Sequence, residues 1–199
     1  QHYHGVVMCA LGWACWKTYL GRSETDWARG CAMTALGNGL GDAGHLEEAL
    51  TVEQARLSMM RRLGYPERAT LSVQNNLAST YYMLGRFEQV SQIYHDVHSA
   101  YVRLYGEEHS DALDTGNNYA VSLMHSNRHR EAKALFRKLI AVAQRALGGS
   151  NEITLTMRRN YAWVLYSDPA ATLDDLHEAV NTLEDTERTS RRVLGGAHP

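Results

Sequence analysis

Prolines are scarce. The 199 residues hold three, Pro66, Pro169 and Pro199, each where a helix would begin or end, which suits a mostly helical chain. Cysteines are as few: Cys9, Cys15 and Cys31, an odd number with no CxxC spacing. That excludes a disulfide framework and a zinc site of the usual kind. It points to a reducing, intracellular compartment, with the cytoplasm expected and an organelle left open. There is no basic excess either. Twenty Lys and Arg stand against 22 Asp and Glu, so a nucleic-acid partner is not expected. No run of 18 apolar residues occurs, and no membrane insertion is expected. The stretch from Val6 to Trp16 is apolar but broken by Gly12 and followed by Lys17, while Gln1-His2-Tyr3-His4 lacks the positive start of a signal peptide. With no initiator Met, the chain reads as a fragment or a processed product. What is present is 44% hydrophobic residues, enough for a buried interior.

What is also present is repetition. The stretch NNLASTYYMLGRF from Asn75 is echoed by NNYAVSLMHSNRH from Asn117 and RNYAWVLYSDPAA from Arg159. Asn76, Asn118 and Asn160 are 42 apart, as are Gly64, Gly106 and Gly148; Gly195 follows after 47, so the last unit carries five extra residues near 167–172. Each unit holds two helix-length segments. In one, Leu71, Leu77, Ala78, Tyr81 and Leu84 form an apolar stripe, and after Gly85 a second stripe runs through Val90, Tyr94, Val97, Tyr101 and Leu104. A single helix hairpin cannot cover both its faces, so units must stack. The layout expected is a lone helix within 1–23, then units at 24–63, 64–105, 106–147 and 148–194, with a fifth beginning at Gly195. The lone helix, ending in Leu20-Gly21, would be the second half of an earlier unit.

The pattern resembles the tetratricopeptide repeat, in the 42-residue form of the kinesin light chains. Leu77-Ala78 with Tyr81, Tyr119-Ala120 with Leu123, and Tyr161-Ala162 with Leu165 match the large-small-large positions of the family's first helix. Ala132 with Phe136 matches the small-then-aromatic pair of its second, Val90 with Tyr94 is close, and Ala179 with Leu183 is looser. Leu104-Tyr105-Gly106-Glu107-Glu108-His109 and Leu194-Gly195-Gly196-Ala197-His198-Pro199 resemble the light-chain joint between units, of which Leu147-Gly148-Gly149-Ser150-Asn151 keeps only the glycine. The resemblance implies an all-α, right-handed superhelical solenoid of antiparallel helix pairs.

Few residues suggest chemistry. Gly39 to Gly44 spells GxGxxG, but a dinucleotide site needs a strand before it, and Trp27 to Leu36 falls where a repeat's first helix belongs. Gly37, Gly39 and Gly41 then weaken a helix end, each by about 1 kcal/mol relative to alanine, and the first pair should be the least regular. His125 and His129 are four apart with nothing to complete a metal site, and His2 and His4 lie at an end. The pairs Glu47-Glu48, Glu107-Glu108 and Asp174-Asp175 read as helix starts, where negative charge suits the helix dipole. Neither an enzyme nor a cofactor or metal is expected.

The resemblance instead implies a protein-interaction module, an adaptor or scaffold whose first helices line a concave groove. The matched positions are Ser72, Asn75, Asn76, Ser79, Tyr82 and Met83; Asp114, Asn117, Asn118, Val121, Met124 and His125; and Thr156, Arg159, Asn160, Trp163, Tyr166 and Ser167. Amides at Asn76, Asn118 and Asn160 can pair with the backbone of an extended peptide, and aromatic residues can anchor it. The same amides can instead brace neighbouring helices. Arg159 beside Trp163 suits an acidic-hydrophobic linear segment as partner. Two other roles remain open: the sensor region of a larger signalling ATPase, and a structural subunit of a large complex.

Overall fold

A computed structural model describes residues 2–195, and among them the chain forms nine helices. They are α1 (His2–Tyr19), α2 (Trp27–Asp42), α3 (Leu46–Arg62), α4 (Glu67–Met83), α5 (Phe87–Tyr105), α6 (Ser110–His125), α7 (His129–Ala146), α8 (Glu152–Ser167) and α9 (Leu173–Gly195). The fold is an all-α repeat, as the spacing predicts. From Gly196 on, the expected start of a fifth unit and its joint lie outside the described residues, as do the side chains of His2 and His4. Two compact units divide the chain, residues 1–93 and 94–199, with the boundary inside α5.

The period is written in the turns. Gly85, between α4 and α5, takes φ 71°, and Asn127, 42 residues on, takes φ 58°. Asparagine tolerates this left-handed conformation better than most residues do. The next equivalent is Pro169, whose ring forbids it. The chain therefore turns differently. Asp168 is extended, with φ −69° and ψ 119°, and its side chain accepts from the Ala170 amide at 2.9 Å. Thr172 and Asp175 then cap α9 reciprocally: the Asp175 amide donates to Thr172 Oγ1 at 3.1 Å and the Thr172 amide to Asp175 Oδ2 at 3.0 Å. The extra residues at 167–172 are thus an ordered turn with its own cap.

Helix starts repeat as well. Asp26 accepts from the Ala28 amide at 2.8 Å, the His109 ring nitrogen from Asp111 at 3.2 Å, and Asn151 from Ile153 at 2.9 Å. The joint at Gly148 therefore keeps the cap as well as the glycine, contrary to expectation, because asparagine does the work of histidine. The acid pairs divide. Glu47, Glu48, Asp174 and Asp175 do stand in first turns. Glu107 and Glu108 lie before α6 and instead pair with Lys138 and Arg145 of α7, at 3.3 and 3.5 Å.

In the unit 1–93, α1 packs on α2, α2 on α3 and α3 on α4. The glycines of α2 are not simply weak points. A Cβ at Gly12 of α1 would sit 2.7 Å from the Ala35 carbonyl oxygen. One at Gly39 would collide with the Met8 carbonyl, and one at Gly5 with that of Asp42. These three glycines let the two backbones touch, and α2 runs unbroken through Gly37, Gly39 and Gly41. Gly37 and Gly41 fit the expectation of glycines that only weaken the helix, since a Cβ at Gly37 would make ordinary contact with Glu53 Cγ at 3.4 Å and one at Gly41 would meet nothing within 4 Å. The apolar core here forms two clusters, one around Leu36, Leu40 and Ala49, the other around Leu50, Leu57, Met60, Val73 and Leu77.

In the unit 94–199, α6 packs on α7, α7 on α8, α8 on α9, and α6 also on α8. One cluster runs from Leu113 to Ala179, with Phe136, Met157, Val164 and Leu165 all at 0% exposure. Ala120, Ala132 and Ala162 are fully buried, as the repeat pattern requires. Ala179 is buried too, while Leu183, its looser match four residues on, is 40% exposed.

Two straps from α7 reach α9. Lys133 Nζ lies 2.9 Å from Asp168 Oδ2 and 3.1 Å from Asp175 Oδ1. Arg137 Nε donates to the Tyr161 hydroxyl at 2.6 Å, and that hydroxyl donates to Glu178 Oε1 at 2.7 Å. Desolvation and the Glu178 hydrogen bond push the Tyr161 phenol up to about 12. Nothing in the repeat pattern singled out Lys133 or Arg137.

Candidate protein-interaction surface

The first helices α6 and α8 lie side by side, and the seam between them consumes part of the expected surface. Asn117 is 6% exposed. Its Oδ1 accepts from Asn160 Nδ2 at 2.9 Å, and its Nδ2 donates to Asn118 Oδ1 at 3.3 Å. Met124 is 5% exposed, with the Ser167 hydroxyl on its sulfur at 3.4 Å. The His125 ring meets Trp163 edge-on at 5.5 Å, and burial holds the His125 imidazole below its ordinary pKa. Positions 117 and 124 are two helical turns apart on one stripe, which faces 160, 163 and 167 of α8. Asn117 and Met124 therefore do not point into open space, a correction to their expected place in the groove. The amides of Asn117 and Asn160 brace helix to helix.

What stays open is the adjoining stripe. Asn118, Val121, Thr156 and Trp163 are half-buried, Asp114 is exposed, and Tyr166 is 56% exposed. Arg159 is exposed and donates to Thr156 Oγ1 at 3.2 Å. It lines a cavity of about 450 Å³ with Glu152, Leu155, Ser190 and Val193. Its neighbour Arg158 is turned inward, toward Asp185 at 3.7 Å.

In the unit 1–93, α4 presents Ser72, Ser79, Tyr82 and Met83 as exposed and Asn75 and Asn76 as half-buried. The Tyr82 ring rests edge-on against Phe87 at 5.5 Å. Asn76, Ser79 and Met83 line a cavity of about 260 Å³ shared with α2 and α3. At this cavity stands Glu53, which the repeat pattern passed over. It occupies the apolar stripe Ala49, Leu50, Leu57, Met60 of α3, 8% exposed, and burial raises its carboxyl pKa. A charged residue in phase with a buried stripe was the available signal.

His125 and His129 have no third metal-ligating neighbour among the described residues, and no described helix is long and apolar enough to cross a membrane.

The sequence profile of the tetratricopeptide repeat matches residues 70–111 and 113–152. No curated protein matches the sequence. Among solved structures, a point-substituted form of a Podosopora anserina kinesin light chain with nearly identical TPR-like repeats superposes with a TM-score of 0.78 at 18% identity, over 96% of this chain and 86% of that one. A second structure of that protein gives 0.76 at 17%, over 95% and 86%. BtubC (BKLC) from P. vanneervenii gives 0.60 at 14%, over 100% and 92%. Residues 70–111 and 113–152 therefore carry the tetratricopeptide repeat. The chain's fold is the one shared by those TPR-like repeat structures.

Proposed function

We propose that the chain is a protein-interaction scaffold, and that the open stripe of α6 and α8 holds an extended segment carrying an acidic residue beside a hydrophobic one. One observation supports this above the others. Arg159 is exposed and has no carboxylate within salt-bridge distance among the described residues, while Trp163 and the outward Tyr166 lie along the same helix. A guanidinium takes a carboxylate through two parallel hydrogen bonds, and the adjoining rings supply a flat apolar wall. The three cysteines are free, in keeping with a reducing intracellular compartment.

The test is a panel of labelled acidic-hydrophobic peptides against the full chain, with Arg159→Glu and Asn118→Ala as probes. Binding about tenfold weaker or worse in both, with helicity unchanged, is the expected result. Full affinity in both variants would move the binding surface elsewhere. A second reading has its own support. The Asn160–Asn117 hydrogen bond makes these amides structural, which suits a subunit built into a larger complex. In that case no free peptide binds, and native mass measurement finds the chain in an assembly.

A further inference from the structure

We propose that the cavity between α2 and α4 binds a cationic side chain, lysine or arginine, of a partner polypeptide. The inference rests on reading the first-helix faces as docking surfaces, and it adds a second, oppositely charged subsite in the unit 1–93.

The cavity, about 260 Å³, is small for an aromatic anchor with its backbone but ample for a linear alkyl chain with a charged head. Glu53 lines it from α3, more than nine-tenths buried. Its carboxyl takes a hydrogen bond from Thr80, yet Oε2 has no partner. An unpartnered buried carboxyl oxygen is costly, and the cost is relieved either by a proton or by a cation. No described residue supplies that cation within the cavity. Arg56 acts on Glu53 only through space and does not line the cavity.

The rim fits the same ligand. Asp42 adds a second acid, Asn38, Asn76 and Ser79 offer oxygen acceptors for N–H groups, and no Lys, Arg or His lines the space. Two glycines keep it open. A Cβ at Gly37 would reach ordinary contact with Glu53 Cγ at 3.4 Å and take up part of the space, and Gly41 borders empty space. Burial raises the Glu53 carboxyl pKa by disfavouring its charged form, and a bound ammonium would offset that cost.

The experiment titrates the ¹⁵N-labelled full chain with N-acetyl-lysine methylamide, and in parallel with its norleucine analogue, which has a similar stem and no charge. The lysine probe should shift the amides of Gly37, Gly41, Asn76 and Ser79, and norleucine should not. Glu53→Gln should weaken the lysine probe about tenfold, the equivalent of about 1.4 kcal/mol. Gly41→Leu, whose Cβ meets nothing within 4 Å, should fill part of the cavity and abolish the shifts while the helical spectrum is kept. Equal shifts with norleucine would make this an apolar subsite and overturn the proposal. So would the absence of any shift at millimolar probe, or unchanged binding in Glu53→Gln. The acidic-peptide panel against Arg159→Glu reports on the other unit, so loss of that subsite and loss of this one are seen separately.

Discussion

The two units solve the same packing problem by different means. In residues 1–93 the tightest contact is main chain against main chain, through Gly5, Gly12 and Gly39, and the apolar residues gather in two small clusters. In residues 94–199 one continuous cluster centred on Phe136 does the work, with charged straps from Lys133 and Arg137 closing over α9. Close backbone approach fixes helix spacing without side-chain freedom to lose, whereas a side-chain core tolerates small rearrangements. The first device fails by addition of atoms, the second by removal.

The largest expected effect follows from removal. Phe136→Ala should cost about 4 kcal/mol, since its ring is wholly buried in the one large cluster. Amide exchange should then quicken across α6 to α9 as a block. Loss confined to α7 would show that the cluster is not one cooperative core. Next comes addition. Gly39→Ala should cost about 2 kcal/mol by forcing α1 off α2, while Gly41→Ala, two residues away, should gain about 0.5–1 kcal/mol through helix propensity. Thermal midpoints that move the same way in both variants would remove the glycine contact from the comparison.

The smallest effect concerns the straps. The Thr172 amide, Lys133 and the Thr172 hydroxyl hold the Asp175 carboxyl down at about 2, against an ordinary 3.8. A depressed folded pKa contributes stability that is whole above 3.8 and drains away as pH falls toward 2. Asp175→Asn should flatten the acid limb of the melting profile across that window. A profile identical to the parent's would mean that the cap and strap contribute nothing.

Period, helix pairing and the small positions at Ala120, Ala132 and Ala162 were legible in the sequence because each depends on local spacing. The turn at Pro169 was legible as an insertion, though not as a capped structure. Seam and groove were harder. Asn117 and Asn118 are adjacent letters, yet a rotation of about 100° separates them on a helix, and only the closeness of α6 to α8 decides which one is buried. Gly39 and Gly41 pose the same difficulty. They differ only in what lies across from them, a partner's backbone or open space, and one helix's sequence does not carry that. Glu53 was visible as an acid in an apolar register, but its cavity is made by α2 and α4.

The glycine contact also bears on how this protein can change over generations. Every single-base change that replaces a glycine by another residue adds at least a methyl group, so no residue one base change away from Gly5, Gly12 or Gly39 is smaller or equal in size. The atoms they face are carbonyls of Asp42, Ala35 and Met8, main-chain groups that no substitution can trim. Compensation by a second mutation across the contact is therefore closed off. The α1–α2 pair can drift in every direction except at the three positions where its chains meet.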